Sequence, residues 1–263
     1  MLHFDVHGRV GRERRVVLVH GFTQTRRSWD PVLAPLADEH QVVAVDAPGH
    51  GLSSHYRVGP WEAARLLGEA GNEASYVGYS MGGRLVLHLA LAAPYLVRRV
   101  VLVSATAGIS DPHERVARVA ADEVVASDLE SGGLDAFLDR WLANPLFSTL
   151  PHRAAGVEAR RENTVEGLAA TIRLLGTGVQ EPLWDHLATL HMPALVVAGE
   201  RDEKFAALAR RLADGWGGPA EVVVVPGAGH AVHLEQPQAF LEVVLPFLRD
   251  AHRSATPAAS NNP

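Results

Sequence analysis

The sequence predicts an α/β protein with a mostly parallel sheet, helices on both sheet faces, and a helical cap inserted between two strands. Three observations carry this reading. Continuous apolar runs such as Val16-Val17-Leu18-Val19 fit strands buried on both faces of a sheet. Up to residue 109 those runs alternate with stretches of helical period, which implies right-handed strand–helix–strand crossovers. From Ser110 to Gly178 no buried-strand run occurs, and the alternation resumes after it.

The elements follow in order. Leu2–Val6 and Arg15–His20 are expected strands. Ser28–Glu39 is an expected helix, with Ser28 as its N-cap and Trp29, Val32, Leu33 and Leu36 on one face. Gln41–Asp46 is the next strand, closed by the turn-forming Pro48-Gly49-His50-Gly51. A helix over Trp61–Ala70, a strand over Ser75–Gly78, a helix over Gly82–Ala93 and a strand over Arg99–Ser104 complete the first part. The insertion contributes helices over Pro112–Asp128, Leu134–Leu142, His152–Asn163 and Val165–Leu175, punctuated by Gly132-Gly133, Asn144-Pro145 and Gly176. Strand Ala194–Ala198, helix Phe205–Asp214, strand Glu221–Val225 and helix Pro237–Arg249 follow. The expected organisation is a core of residues 1–109 and 179–250, a helical cap of residues 110–178, and a disordered Ala/Ser/Pro/Asn-rich tail over 251–263.

Composition narrows the function classes. The chain has 263 residues, 47% hydrophobic and 21% charged, which is enough apolar material for a full α/β core. There is no cysteine, so neither a disulfide framework nor a thiolate metal site can form. The formal charge of -6 argues against a general nucleic-acid binder. No apolar run reaches the ~20 residues of a membrane span, and residues 1–15 carry no secretory apolar segment, so a cytoplasmic location is expected. The 14 histidines show no paired spacing beyond His230 and His233, and neither a metal nor another cofactor is expected. Lys204 is the one lysine among 24 basic residues, so arginine carries nearly all the positive charge.

Chemistry concentrates at strand ends. Gly78-Tyr79-Ser80-Met81-Gly82 is a G-x-S-x-G run between an expected strand and helix. Such a turn is sharp enough to need small residues on either side of the serine, and it exposes the serine hydroxyl at a helix N-terminus. A serine hydroxyl needs an imidazole to take its proton. Asp202, in Gly199-Glu200-Arg201-Asp202, and His230, in Gly227-Ala228-Gly229-His230, each follow a later strand and complete the order Ser…Asp…His. Any one of them alone could be a turn or surface residue; all three in order at strand ends point to a catalytic triad. His20-Gly21-Phe22 also follows a strand. The N–H groups of Phe22 and Met81 would then form an oxyanion hole, a pair of donors worth ~10²–10³ in rate each.

On His20-Gly21, Asp46-x-Pro48-Gly49-His50-Gly51, the Ser80 turn, Gly199-x-x-Asp202 and Gly229-His230, residues 1–250 resemble the α/β-hydrolase fold family. Serine at the nucleophile position disfavours its haloalkane dehalogenase and epoxide hydrolase branches, and the lack of cysteine excludes the dienelactone hydrolase variant. Two further runs, Gly78–Arg84 and Gly199–Phe205, resemble the 2-succinyl-6-hydroxy-2,4-cyclohexadiene-1-carboxylate synthase family of menaquinone biosynthesis. So do Pro112–Arg118, Asp139-Arg140-Trp141, Pro145-Leu146-Phe147 and Ala159–Asn163.

That resemblance implies substrate-binding roles for Tyr79, Arg84, Arg118, Trp141 and Arg160, with Arg161 as an alternative to Arg160. It also implies a small polycarboxylate substrate. The implied reaction is loss of pyruvate from 2-succinyl-5-enolpyruvyl-6-hydroxy-3-cyclohexene-1-carboxylate, with Ser80 or His230 taking the substrate proton. Arg26-Arg27, where the family is expected to carry small or acidic residues, would alter the pocket mouth. Two other readings stand beside this lyase: a serine hydrolase (a carboxylesterase or a carbon–carbon bond hydrolase), and a binding module that keeps the triad as a ligand sensor. The sequence leaves the oligomeric state open.

Overall fold

A computed structural model describes residues 1–249 apart from residues 10, 12 and 13, so the expected tail over 251–263 lies outside the described residues. Among the described residues seven strands form one sheet: β1 (Phe4–His7), β2 (Arg15–Val19), β3 (Gln41–Val45), β4 (Ala74–Tyr79), β5 (Val97–Val103), β6 (Ala194–Gly199) and β7 (Ala220–Val225). Their order is β1-β3-β2-β4-β5-β6-β7. β1 pairs antiparallel with β3, and all other pairings are parallel. The chain places β3 on one side of β2 and β4 on the other. In open sheets of this kind ligands bind at such a reversal, outside the carboxyl ends of the strands. The loops after β2 and β4 flank that crevice, and the register pairs Val19 with Gly78.

Helices cover both faces. α2 (Pro60–Gly71), α3 (Met81–Ala92) and α8 (Glu203–Gly215) enclose one apolar cluster with the sheet, including Leu67, Leu85 and Leu212. α1 (Asp30–Glu39) and α10 (Pro237–Arg249) enclose the other, around Trp29 and Phe240. Between β5 and β6 the chain forms α4 (Pro112–Gly132), α5 (Leu134–Leu142), α6 (Val157–Arg160) and α7 (Val165–Leu175), with 3-10 turns and no described strand. A third apolar cluster joins α4, α5 and α7 through Ala126, Leu129, Phe137, Leu138, Leu168, Ala169 and Ile172. Phe22, from the loop after β2, packs against both this cluster and the sheet cluster.

Several elements differ from the sequence reading: β1 starts two residues later than expected, α4 runs on to Gly132, and an unexpected 3-10 helix spans Trp184–Thr189. Ser28 does not cap α1. A 3-10 turn over Arg26–Trp29 precedes that helix, and Thr25 caps the turn by accepting from the Arg27 N–H. The expected helix over His152–Asn163 is split into a 3-10 turn at His152–Ala154 and the short α6, because Gly156 takes φ +64. A single-turn helix, α9 (Val232–Glu235), precedes α10 and was not expected.

Candidate active site

The strand–helix turn after β4 holds Ser80 at φ 50 and ψ -110, a conformation that costs a non-glycine residue energy and persists only where its surroundings enforce it. The neighbouring glycines explain the enforcement. A Cβ on Gly78 would lie 2.6 Å from the backbone of Gly82 and Gly83, and one on Gly82 would lie 2.1 Å from the Val19 carbonyl. The turn can close only without those carbons. Ser80 N–H donates to Val103 O at 2.8 Å, which ties the turn to β5.

The loops after β6 and β7 bring the other two side chains to the same point. Gly199 allows this: a Cβ there would stand 2.1 Å from Gly229 O. His230 Nε2 lies 3.1 Å from Ser80 Oγ, and His230 Nδ1 lies 2.6 Å from Asp202 Oδ2. The tautomer that uses both contacts has Nδ1–H donating to the carboxylate and Nε2 accepting from the hydroxyl. Asp202 Oδ1 accepts from the Phe205 N–H at 3.2 Å and caps α8, so a helix start also orients that carboxylate. The Phe205, Tyr79 and Phe147 rings surround the imidazole at 4.5, 5.4 and 6.1 Å between centroids. His230 and Asp202 are buried, and Ser80 is half-buried on the cavity wall.

A network of polar bonds fixes the loop after β2. His20 Nδ1–H donates to Gly21 O at 2.8 Å, while His20 Nε2 accepts from Ala47 N–H at 3.0 Å. His50 Nε2 accepts from Thr23 N–H at 3.2 Å, and Gln24 Oε1 accepts from Gly21 N–H at 3.1 Å. Burial lowers the pKa of His20 to about 4 and that of His50 to about 3, so both are neutral and can accept. From the helical segment, Asn163 Nδ2 donates to Thr23 O at 2.7 Å, and Asn163 Oδ1 accepts from Gly51 N–H at 2.9 Å. Among the described residues, the N–H groups of Phe22 and Met81 have no acceptor in the protein. Both residues line the cavity beside Ser80.

That cavity, about 510 Å³, also takes Tyr79, Arg84, Arg118, Trp141 and Arg160 into its walls. The three arginines differ. Arg84 is buried and donates to Gln180 Oε1 at 2.9 Å and Leu175 O at 2.7 Å. Arg160 is buried and donates to Ala155 O at 2.7 Å and to Thr23 Oγ1. Among the described residues neither forms an ion pair with a carboxylate, although Asp122, which also lines the cavity, attracts Arg84 from a longer distance; burial pushes both pKa values down to about 10. They remain charged at neutral pH. Arg118 instead stands at the rim, 45% exposed, with Nε 2.7 Å from Asp122 Oδ1. Arg161 points away and pairs with Asp135 and Glu158, so Arg160 is the residue that faces the cavity.

Lys204 is exposed and lines the cavity. Arg26 and Arg27 do not line it; they bond to Asp5, Asp46 and Glu162, which removes the reason to expect an altered mouth. Gln24 and Gln180 were not singled out from sequence, since a lone glutamine in a loop carries no pattern. His233 is buried 4.4 Å from the Trp29 ring, and burial lowers its pKa to about 3. Among the described residues no three His, Asp or Glu side chains gather as metal ligands, and no helix is long and apolar enough to cross a membrane.

The model of the alpha/beta hydrolase family matches residues 16–243. The chain belongs to that family. Within it, this hydrolase-fold protein is 32% identical over 247 residues to a putative 2-succinyl-6-hydroxy-2,4-cyclohexadiene-1-carboxylate synthase of Bacillus subtilis, covering 89% of each chain. It is 32% identical over 244 residues to the synthase of that name from Enterobacter sp., covering 89% of this chain and 91% of the relative. Among solved structures, MenH from S. aureus superposes with a TM-score of 0.87 at 27% identity, over 95% of this chain and 99% of that one. A malate-bound esterase from Thermogutta terrifontis has a TM-score of 0.78 at 24% identity, over 95% of this chain and 94% of that one, and shares the fold.

Proposed function

We propose that this α/β hydrolase is a menaquinone-pathway lyase that eliminates pyruvate from 2-succinyl-5-enolpyruvyl-6-hydroxy-3-cyclohexene-1-carboxylate. One observation carries the choice: Arg84 and Arg160 line the Ser80 cavity as buried cations without carboxylate partners. A buried charge satisfied only by neutral acceptors is costly, and an incoming carboxylate offsets that cost. The guanidinium fork suits carboxylates, and two such forks with Arg118 and Lys204 at the rim fit a substrate bearing three of them.

The chemistry proceeds from the triad. His230, oriented by Asp202, accepts the Ser80 proton, and the Ser80 oxygen removes the ring proton α to the succinyl ketone. The ketone oxygen becomes an enolate oxygen, held by the N–H groups of Phe22 and Met81. Collapse of the enolate breaks the carbon–oxygen bond to the enolpyruvyl group. As the ketone re-forms, the ring gains a second double bond conjugated with its first, and the departing enolpyruvate takes up a proton, matched by the one His230 gives up, and becomes pyruvate. The serine therefore acts as a base and no acyl-enzyme forms.

Incubating the full chain with the enolpyruvyl precursor, with pyruvate followed by a coupled dehydrogenase, tests the proposal. Pyruvate release is expected, and Ser80→Ala should reduce it by ~10³-fold or more. Hydrolysis of p-nitrophenyl esters with no pyruvate from the precursor would replace the lyase with a serine hydrolase.

A further inference from the structure

His230 must aim one ring nitrogen at Ser80 and the other at Asp202, yet it sits in Gly227-Ala228-Gly229-His230, a run with two glycines and φ +70 at Gly227. Such a loop has little stiffness of its own. Its backbone is held from outside. Glu200 Oε2 accepts from Gly227 N–H at 2.9 Å, and Arg201 N–H donates to Ala228 O at 2.9 Å. Nearest the histidine, the two oxygens of one carboxylate straddle it. Glu235 Oε2 accepts from Gly229 N–H at 2.7 Å, and Glu235 Oε1 accepts from Ala231 N–H at 2.9 Å.

We propose that Glu235 is the positioning residue of His230: its carboxylate grips the amides on both sides of the histidine and so sets the imidazole against Ser80. The proposal rests on the triad reading above and adds what holds its base. Both bonds are charge-assisted, and a carboxylate is the side chain that offers two acceptors to two N–H groups at once. The grip is close. A Cβ on Gly229 would lie 3.0 Å from Glu235 Oε2 and 2.0 Å from Thr149 Oγ1, so the loop is held closely between Glu235 and the helical segment, and a larger residue would push one of those side chains aside. The competing role is a local one. Glu235 ends α9 and reaches back from its fourth position to the N–H of Ala231, its N-cap, a contact that like a capping box could stabilise a helix start and nothing else, although the N-cap here is alanine and the glutamate lies one residue later. The bond to Gly229 lies outside that motif and is the part that reaches the active-site loop. With Ser80 and His230 already 3.1 Å apart, a shift of ~1 Å takes them out of hydrogen-bond range.

The test uses the full chain with Glu235→Gln and Glu235→Asp. It measures the rate at which a fluorophosphonate labels Ser80, kcat and KM for the precursor, and thermal unfolding. Glutamine keeps the shape but turns an NH2 toward one of the two N–H groups. Labelling and kcat should fall together by ~10–100-fold, with KM changed less than about twofold. Aspartate keeps the charge one methylene short and should recover part of the loss. If glutamine prevents folding, the aspartate variant alone decides, with labelling slower than wild type as the expected result. Lowered thermal stability with wild-type labelling and kcat would make Glu235 a helix cap only and overturn the proposal. Labelling reports serine activation whatever the substrate. A wild-type protein that labels but releases no pyruvate would therefore sink the lyase and leave this inference standing.

Discussion

Ser80, Asp202 and His230 sit on loops tied by backbone bonds and glycine contacts to the ends of β4, β6 and β7. Arg118, Trp141 and Arg160 instead sit on α4, α5 and α6, which meet the sheet-side loops through Phe22 and a few polar bonds. In the first region the backbone decides. The loops pack closely at Gly78, Gly82 and Gly199, where an added Cβ would meet backbone at 2.1–2.6 Å. In the second, helical spacing brings many arginines to the surface, and the available partner decides what each can do. Arg118, Arg140, Arg161 and Arg173 all end on carboxylates, whereas Arg160 ends on a carbonyl and a hydroxyl. On the proposed function, machinery built on strand ends is therefore fixed before substrate arrives, while the charge that would select substrate depends on which cation has been left unpaired.

The largest expected effect falls in the first region. Asp202→Asn should preserve the cap on α8, because an amide oxygen can still accept from the Phe205 N–H. It removes the carboxylate that holds the Nδ1–H tautomer of His230, and kcat should fall by ~10⁴-fold with the fold intact. Steady-state kinetics together with circular dichroism separate the two effects. A loss below about tenfold would mean that the imidazole is oriented chiefly by the loop and the surrounding rings.

Acid should act next, and unequally. His20, His50 and His233 are neutral when folded because burial holds their pKa values at about 4, about 3 and about 3, against an ordinary 6.5. Below pH 6.5 the unfolded chain takes up protons that the folded chain refuses. The stability these groups confer is thus present above 6.5 and is lost as pH falls toward 4, by up to about 1.4 kcal/mol per pH unit for each group. All three belong to the sheet-side part, whereas residues 110–178 carry only the exposed His113 and His152. Hydrogen exchange between pH 7 and 5 should show the amides of Thr23 and Ala47, which His50 and His20 accept, losing protection before α4 and α7. Earlier opening of the helical segment would reverse the comparison.

The same contrast explains what the sequence could reveal. The turn at Ser80 is legible because a strained serine requires glycines at fixed offsets, and the strands because buried parallel strands are apolar throughout. Strand direction is not encoded in such a run, and the antiparallel pairing of β1 with β3 emerges only from the fold. The start of α1 is not legible, because Thr25 and Ser28 are both acceptable caps and the 3-10 turn over Arg26–Trp29 shows no periodicity. α9 is a single turn, too short for any pattern, and Glu235 inherits its invisibility. In the helical segment the family resemblance implies a site role for Arg118, but Asp122 one turn later engages it at the rim. Sequence left Arg160 and Arg161 as alternatives, since which of two adjacent residues turns inward depends on how Gly156 starts the helix.

That adjacent pair gives the smallest and sharpest test. Arg160→Met keeps the length of an apolar stem while removing a buried cation that forms no ion pair. Folding stability should change little, because the lost bonds to Ala155 O and Thr23 Oγ1 are offset by relief of charge burial. The KM for the anionic precursor should rise by ~10–30-fold, the loss of one charge-assisted contact of about 1.5–2 kcal/mol. Arg161→Met, one residue along, removes an exposed side chain already paired with Asp135 and Glu158 and should leave KM where it was. Equal effects at both positions would mean that the helical segment attracts substrate by its general field. An effect at Arg160 alone would mean that one unpaired guanidinium reads one carboxylate, the charge selection on which the proposed substrate rests.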